Sequence, residues 1–222
     1  MKERLINLFG ENNLEKIKNA HILLVGIGGV GSFCFETLIR CGVENITVID
    51  FDTYEESNLN RQLYATLDSL GKKKIDTALA RAKSINENVN INVLDTFLDF
   101  NSDFDFSSYD YIIDACDSVP AKANLIINAK KYNKKIIVSL GIGNRVCPEL
   151  VCKSTLKESL SDPLGKKLNH YLIKKCDFNE NVNVICSKEK PIKSQPISSY
   201  VCTTSVAGIY LSDYVIKDII NG

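Results

Sequence analysis

An α/β fold is predicted by three observations. Apolar runs of strand length alternate with longer segments of helical period. The first of those runs ends in a glycine-rich turn that opens a helix. Acidic residues stand at the carboxyl ends of later runs, where open α/β sheets place their ligands. The expected architecture is a Rossmann-like, doubly wound, mainly parallel sheet with helices on both faces and a C-terminal α+β extension.

The elements follow in order. A short leading helix covers 11–19, a strand 21–25 and a long helix 30–41. The next strand is 45–49. A polar loop then leads to a helix over 72–86, where Ala78, Ala82 and Ile85 recur at helical spacing. Strands at 90–94, 109–113 and 135–139 and a helix at 119–132 continue the βα rhythm of a parallel sheet. Beyond about 145 the rhythm changes: a strand near 149–152, a helix near 163–174, a strand near 182–186 and a closing helix at 204–220. No Pro-, Gly- or Ser-rich linker divides the halves, and no repeat or low-complexity tract occurs.

Five short motifs carry the chemistry. Gly26-Ile27-Gly28-Gly29-Val30-Gly31 follows an apolar strand, so its backbone N–H groups and the helix behind it can cradle phosphate. Asp50, at the end of the second strand with Asp52 beside it, stands where an acid takes ribose hydroxyls. Asn58-Leu59-Asn60-Arg61-Gln62 and Lys74 supply cations able to neutralise charge growing on phosphate oxygens. Asp114-Ala115-Cys116-Asp117 offers a carboxylate for magnesium. No Gly-Lys-Ser/Thr follows the glycines, which argues against a P-loop hydrolase.

Together these motifs resemble the ubiquitin-activating-type adenylyltransferases, a family that includes bacterial enzymes of molybdopterin and thiamine biosynthesis. The resemblance implies binding of ATP and Mg2+ and attack of a carboxylate on the α-phosphorus, giving an acyl-adenylate and pyrophosphate. It implies an ATP-binding set of Gly26, Gly28, Gly29, Gly31, Asp50, Asp52, Ser57, Asn58, Arg61, Gln62, Lys74, Asp117 and Ser118. Asp117 would be the magnesium ligand. Arg4 stands six residues before Gly10, the spacing of an arginine that the family supplies in trans to its partner subunit, so a homodimer is implied. The catalytic set is then Arg4, Arg61, Lys74 and Asp117.

Further stretches narrow the resemblance. Ser139-Leu-Gly-Ile-Gly-Asn-Arg145, Asp162-Pro-Leu164, Ser187-Lys-Glu-Lys-Pro191 and Ser205-Val-Ala-Gly208 are similar to the tRNA threonylcarbamoyladenosine dehydratases. Cys147 precedes Pro148 where an aspartate of an Asp-Pro-Thr turn is the expectation from that branch. The branch implies activation of the threonylcarbamoyl carboxylate with ATP, ring closure by the side chain's own nitrogen or oxygen, and release of AMP. tRNA is then the partner, and sulfur-transfer partner proteins and a monovalent cation near the loop stay open. The whole chain, 1–222, reads as one adenylyltransferase-type domain, with 1–145 binding ATP and 146–222 recognising substrate and closing the fold.

Several residues keep two readings. Lys74 ends a three-lysine run that could merely begin a solvated helix, and Asp117 could cap the helix near 119 as well as bind metal. Asp52 could contact ATP or support Asp50. Arg145 could touch substrate or form a structural salt bridge. Lys166 and Lys167 lie in a lysine-rich segment with His170 and Tyr171, which suits RNA phosphates and an unstacked base, or an ordinary solvated helix. The acidic stretch between Lys83 and Lys122 would repel a polyanion.

Composition excludes other classes. No run of 18 apolar residues occurs and the N-terminus is polar, so a cytoplasmic chain without membrane span or signal peptide is expected. Eight cysteines include no Cys-x-x-Cys pair, so no zinc is expected and small core filler is the simpler reading. Cys202 keeps a catalytic alternative. Two other functions remain open: activation of the Gly-Gly tail of a ubiquitin-like sulfur carrier, and a nucleotide-binding scaffold that uses only the Rossmann half.

Overall fold

The computed structural model describes residues 2–222. Helices α1 (Lys2–Phe9) and α2 (Glu11–Asn19) lead into β1 (His21–Val25), α3 (Gly31–Arg40) and β2 (Asn45–Ile49). Then come α4 (Lys74–Ile85), β3 (Asn90–Leu94), β4 (Tyr111–Asp114), α5 (Val119–Lys131) and β5 (Lys135–Ser139). The chain finishes with β6 (Val151–Thr155), α6 (Pro163–Cys176), β7 (Asn183–Ser187) and α7 (Val201–Asn221). Helix α1 is absent from the sequence reading, which begins with α2. Gly10, at φ 80°, separates the two, and no side chain caps α2.

All seven strands form one sheet in the order β3-β2-β1-β4-β5-β7-β6. Every pairing is parallel except β6 with β7. The predicted α+β extension therefore adds its strands to the same sheet. Chain order reverses between β1 and β4, and loops from both strands meet at that switch point, where such sheets bind ligands.

Alternate side chains commit to opposite faces, the period-two rule of a pleated strand. Ile22, Leu24, Ile46, Val48 and Ile113 pack with Phe35, Leu38, Leu211 and Val215 of α3 and α7. Leu23, Val25, Ile49 and Ile112 pack with Ala121, Leu125 and Ala129 of α5. A further cluster joins Ala123 and Ile126 of α5 to Leu168 and Leu172 of α6. Parallel strands covered on both faces explain the unbroken apolar runs in the sequence.

One contact fixes how α7 crosses α3. A Cβ on Gly208 would lie 2.3 Å from the Val30 carbonyl oxygen and 2.9 Å from the Cys34 nitrogen. Only glycine lets the helices approach this closely, directly behind the phosphate-type turn. Among the described residues, no helix is long and apolar enough to cross a membrane.

Candidate active site

The glycine turn leaves β1 with Gly26 at φ 94°. A Cβ on Gly26 would sit 2.8 Å from the Ala115 carbonyl oxygen, and one on Gly31 would sit 1.9 Å from the Gly26 carbonyl oxygen. The loop after β4 is therefore packed onto the turn. Arg61 lies on its other side, its Cγ 3.2 Å from where a Gly29 Cβ would be, and Gln62 Nε2 is 4.0 Å from the same point on Gly28. Two segments distant in sequence, the 58–62 motif and the loop after β4, thus converge on one turn.

Asp50 ends β2 facing that turn. One carboxylate oxygen accepts the Ile27 N–H at 2.7 Å and the other accepts the Asp52 N–H at 2.8 Å. Burial pushes its carboxyl above the usual carboxylate range, while those two N–H groups and the nearby Lys74 charge oppose the rise. Lys74, 5% exposed, donates to Asp52 at 2.7 Å. The Asp52 carboxylate holds Lys74, and only its backbone N–H reaches Asp50, a role outside both readings. The Lys74 ammonium is shielded and oriented at the start of α4, so it is more than one of three solvated lysines.

Asn58 is buried and closes a capping box with Glu55, which shapes the turn carrying Arg61. Ser57 contributes its carbonyl to the Arg61 guanidinium at 2.7 Å, and Asn60 Oδ1 accepts from the same nitrogen at 3.0 Å. Gln62 is 6% exposed, and its Oε1 has no hydrogen-bond partner. A buried acceptor without a donor, beside a bare glycine turn, suits a ligand hydroxyl or amino group.

Asp117 is exposed at the mouth of this crevice. The cap of α5 is Ser118, whose Oγ accepts the Ala121 N–H at 3.5 Å, so the reading of Asp117 as that cap is corrected. The Asp117 carboxylate stays available. One carboxylate completed by phosphate oxygens and water is how magnesium is ordinarily held, and no group of three or more metal-ligating side chains occurs among the described residues. The glycine cradle, the orphan Gln62 acceptor, two cations and one exposed acid fit ATP with magnesium.

Arg4 is not part of its own chain's crevice. Leu5, beside it on α1, lies near Gly42, past the far end of α3, whereas Gly31 opens α3 at the turn. The intervening ten-residue helix is about 15 Å long.

Two substrate assignments change. Arg145 is 3% exposed, and its guanidinium binds the Asp162 carboxylate and the carbonyls of Gly141, Gly143 and Glu189. It is a structural strut, and the substrate reading is corrected. Tyr171 is half-buried and packs at an angle on Phe100, centroids 5.7 Å apart, so it reads as a packing residue. Lys166 and Lys167 remain exposed on α6 and enter no ion pair among the described residues. Lys166, His170 and Lys174 line a groove of about 430 Å³.

Sequence reasoning missed a buried ion pair beneath the site. Asp114 and Lys122 are both fully buried, 3.1 Å apart, and Lys122 also donates to the Ser139 carbonyl at 2.7 Å. Asp114 further accepts the Cys116 N–H at 3.1 Å, which turns the loop toward Asp117. The spacing of eight residues between strand end and helix was the only available signal.

All eight cysteines are free. Burial pushes the Cys34 and Cys116 thiols far up, as expected of inert core filler. Cys202 is half-buried at the start of α7.

With the geometry in place, comparison with known proteins decides the family. The pattern of the ThiF family matches residues 2–219. The chain belongs to the ThiF family. Among its relatives is a tRNA threonylcarbamoyladenosine dehydratase of Haemophilus influenzae, 35% identical over 86% of this chain and 74% of the relative. The protein of that name from Bacillus subtilis is 32% identical over 95% of this chain and 91% of its own. The solved Escherichia coli tRNA N6-threonylcarbamoyladenosine dehydratase in complex with AMP superposes with a TM-score of 0.94, at 30% identity, covering 98% of this chain and 93% of that one. The same enzyme has been solved with ATP, with a TM-score of 0.91.

Proposed function

We propose that this ThiF-family chain is an ATP-dependent tRNA threonylcarbamoyladenosine dehydratase that adenylates the threonylcarbamoyl carboxylate and closes it into a ring. The observation that carries this reading is the convergence on one glycine turn of Arg61, Gln62 and the Asp117 loop. A cofactor-holding scaffold has no need of an arginine over the glycines, an oriented lysine and an open acid. The full-length likeness to dehydratases favours tRNA over a sulfur-carrier tail as substrate.

The residues divide the work. Gly28 leaves room for phosphates at the start of α3, whose N-terminal N–H groups favour anions, while Gly29 admits Arg61 and Gly31 lets the turn close on Gly26. Asp50 and Gln62 take the ribose side. ATP supplies the leaving groups: pyrophosphate departs when the carboxylate oxygen bonds to the α-phosphorus, and AMP departs with that oxygen when the side chain's own nitrogen or oxygen attacks the carbonyl carbon. Magnesium, held by Asp117, would neutralise phosphate charge. Lys74 reaches the phosphates by exchanging Asp52 for them, and Arg61 exchanges its two neutral acceptors in the same way. Ser118 sets the N-terminus of α5 beside Asp117.

The proposal extends to a cytoplasmic homodimer in which Arg4 completes the partner's site, because α1 holds it away from its own. It also takes 1–145 as the ATP-binding part and 146–222 as the substrate-recognising part of one domain, with Lys166 and Lys167 on RNA phosphates. The test is ATP–pyrophosphate exchange and AMP release with tRNA carrying threonylcarbamoyladenosine, read by nucleoside mass spectrometry. Loss of one water coupled to AMP supports the proposal. Exchange with a Gly-Gly-tailed carrier and an unchanged nucleoside overturns it.

A further inference from the structure

Between β7 and α7 the chain crosses the ligand edge of the sheet as a strap, residues 188–200. Its backbone is tied down at 188, 189, 192, 194, 198 and 199. Asn144, at φ 58° in the loop after β5, holds it four ways. Its N–H donates to Ser198 O at 2.7 Å, its carbonyl accepts Ile192 N–H at 2.7 Å, its Oδ1 accepts Ser198 N–H at 2.7 Å, and its Nδ2 donates to Ser194 O at 3.2 Å. At the start of the strap, the Glu189 carboxylate accepts the Cys147 N–H at 2.8 Å. At its end, Asn60 of the arginine motif donates to Ser199 O at 3.0 Å. Gly143 lies so close beneath that a Cβ there would sit 2.6 Å from Ile197 Cγ2.

The side chains have the opposite character. Lys188, Lys190 and Lys193 are exposed and enter no ion pair among the described residues. Ile192, 51% exposed, stands between Lys190 and Lys193, and Ile197, 76% exposed, and Tyr200, 44% exposed, follow them toward α7. Exposed apolar groups held on a pinned backbone and flanked by cations mark a surface for a partner. Cations on the same strap as an exposed aromatic ring are what single-stranded RNA takes: phosphates pair with the amines while an unstacked base lies on the ring. The strap is joined by one hydrogen bond to the motif carrying Arg61, so RNA lying on it would present its nucleotide directly to the ATP crevice.

We propose that residues 188–200 are the RNA-reading surface of this site, binding the single-stranded nucleotides next to the one whose carboxylate is activated, with Asn144 as the positioning residue of the strap. The inference rests on the tRNA reading of the previous subsection. It separates two tasks: the glycine crevice takes ATP, and the strap takes the RNA backbone.

The test compares wild type with a Lys188→Ala/Lys190→Ala/Lys193→Ala variant in titrations with threonylcarbamoyladenosine-containing tRNA across a salt series. Removing three phosphate contacts should weaken binding at low salt by tenfold or more. It should also flatten the slope of log affinity against log salt by about 2, at roughly 0.7 per phosphate. ATP affinity and melting temperature should stay unchanged. Asn144→Gly keeps the left-handed backbone and removes two side-chain tethers, so KM for tRNA should rise severalfold while KM for ATP holds. If the triple variant melts early, single Lys→Gln variants carry the same comparison. Wild-type tRNA affinity and slope in the variant would overturn the strap proposal, as would a loss confined to self-association. Wild-type protein that leaves modified tRNA unchanged would instead sink the dehydratase reading, so the two failures are distinguishable.

Discussion

Replacing Lys122 by methionine probes the support beneath the site most directly. The Lys122 ammonium is fully buried and bonds Asp114 Oδ1 at 3.1 Å and Ser139 O at 2.7 Å. Methionine nearly fills the same volume, so the change removes charge and hydrogen bonds and leaves little cavity. Asp114 would then be a fully buried carboxylate with no cation, and its Oδ2 already has no hydrogen-bond partner. Stranding one partner of a buried pair costs about 3–5 kcal/mol. For a chain of this size each kcal/mol lowers Tm by roughly 2–4 °C, so a fall on the order of 10 °C is expected. Urea denaturation followed by circular dichroism measures the loss, and ATP titration reads the consequence for the Asp117 loop. Adding Asp114→Asn should recover much of the stability, because the neutral amide oxygen still accepts the Cys116 N–H. A loss below about 1 kcal/mol, or a double variant no more stable than Lys122→Met, would refute the account of a charge-compensated staple.

Lys74→Ala and Asp117→Ala should each slow AMP release by on the order of a hundredfold, the usual effect of removing one charge-stabilising group, and near-wild-type rates in both would remove them from the mechanism. Mixing inactive Arg4→Ala with inactive Lys74→Ala protein should restore partial activity through hybrid dimers, and a mixture that exchanges subunits yet stays dead disproves the trans arginine. Hydrogen bonding from Arg81, aided by Arg40, holds the Glu36 carboxyl below its usual value of 4.5. Its stabilising contribution is therefore complete above that pH and is lost as pH falls through the depressed folded value, so Glu36→Gln should show a shallower acid limb in Tm against pH. Gly208→Ala forces its methyl against the Val30 carbonyl, and both Tm and ATP affinity should drop; an unperturbed Kd for ATP would mean that the α7–α3 approach does not set the glycine turn.

The ATP crevice was legible because its chemistry is local. A glycine turn after an apolar strand, an acid at the next strand end and an arginine motif each occupy a few consecutive residues, and strand-helix alternation fixes where they meet. Even the close contact at Gly208 left a trace in the Ser205-Val-Ala-Gly208 stretch. What escaped depends on partners distant in sequence. Arg145 follows a glycine turn at the ligand edge, which fits a substrate contact as well as a strut; only the inward position of Asp162 decides. Tyr171 lies among lysines, yet its ring is on the α6 face that meets Phe100. The Asp114–Lys122 pair reads in sequence as an acid and a solvated lysine. Helix α1 is only eight residues long, and Gly10 alone marks its boundary with α2, which starts without a capping side chain.

The outer strand β6 has a consequence for how the chain is built. It precedes β7 in sequence yet pairs only with it, while β7 occupies the place beside β5. As the polypeptide leaves the ribosome, β6 emerges with no seat in the sheet until residue 187 has followed it. The face that α7 covers stays open longer still, until the last twenty-odd residues arrive. Until α7 is made, Phe35 and Leu38 lack the helix that covers them in the finished fold.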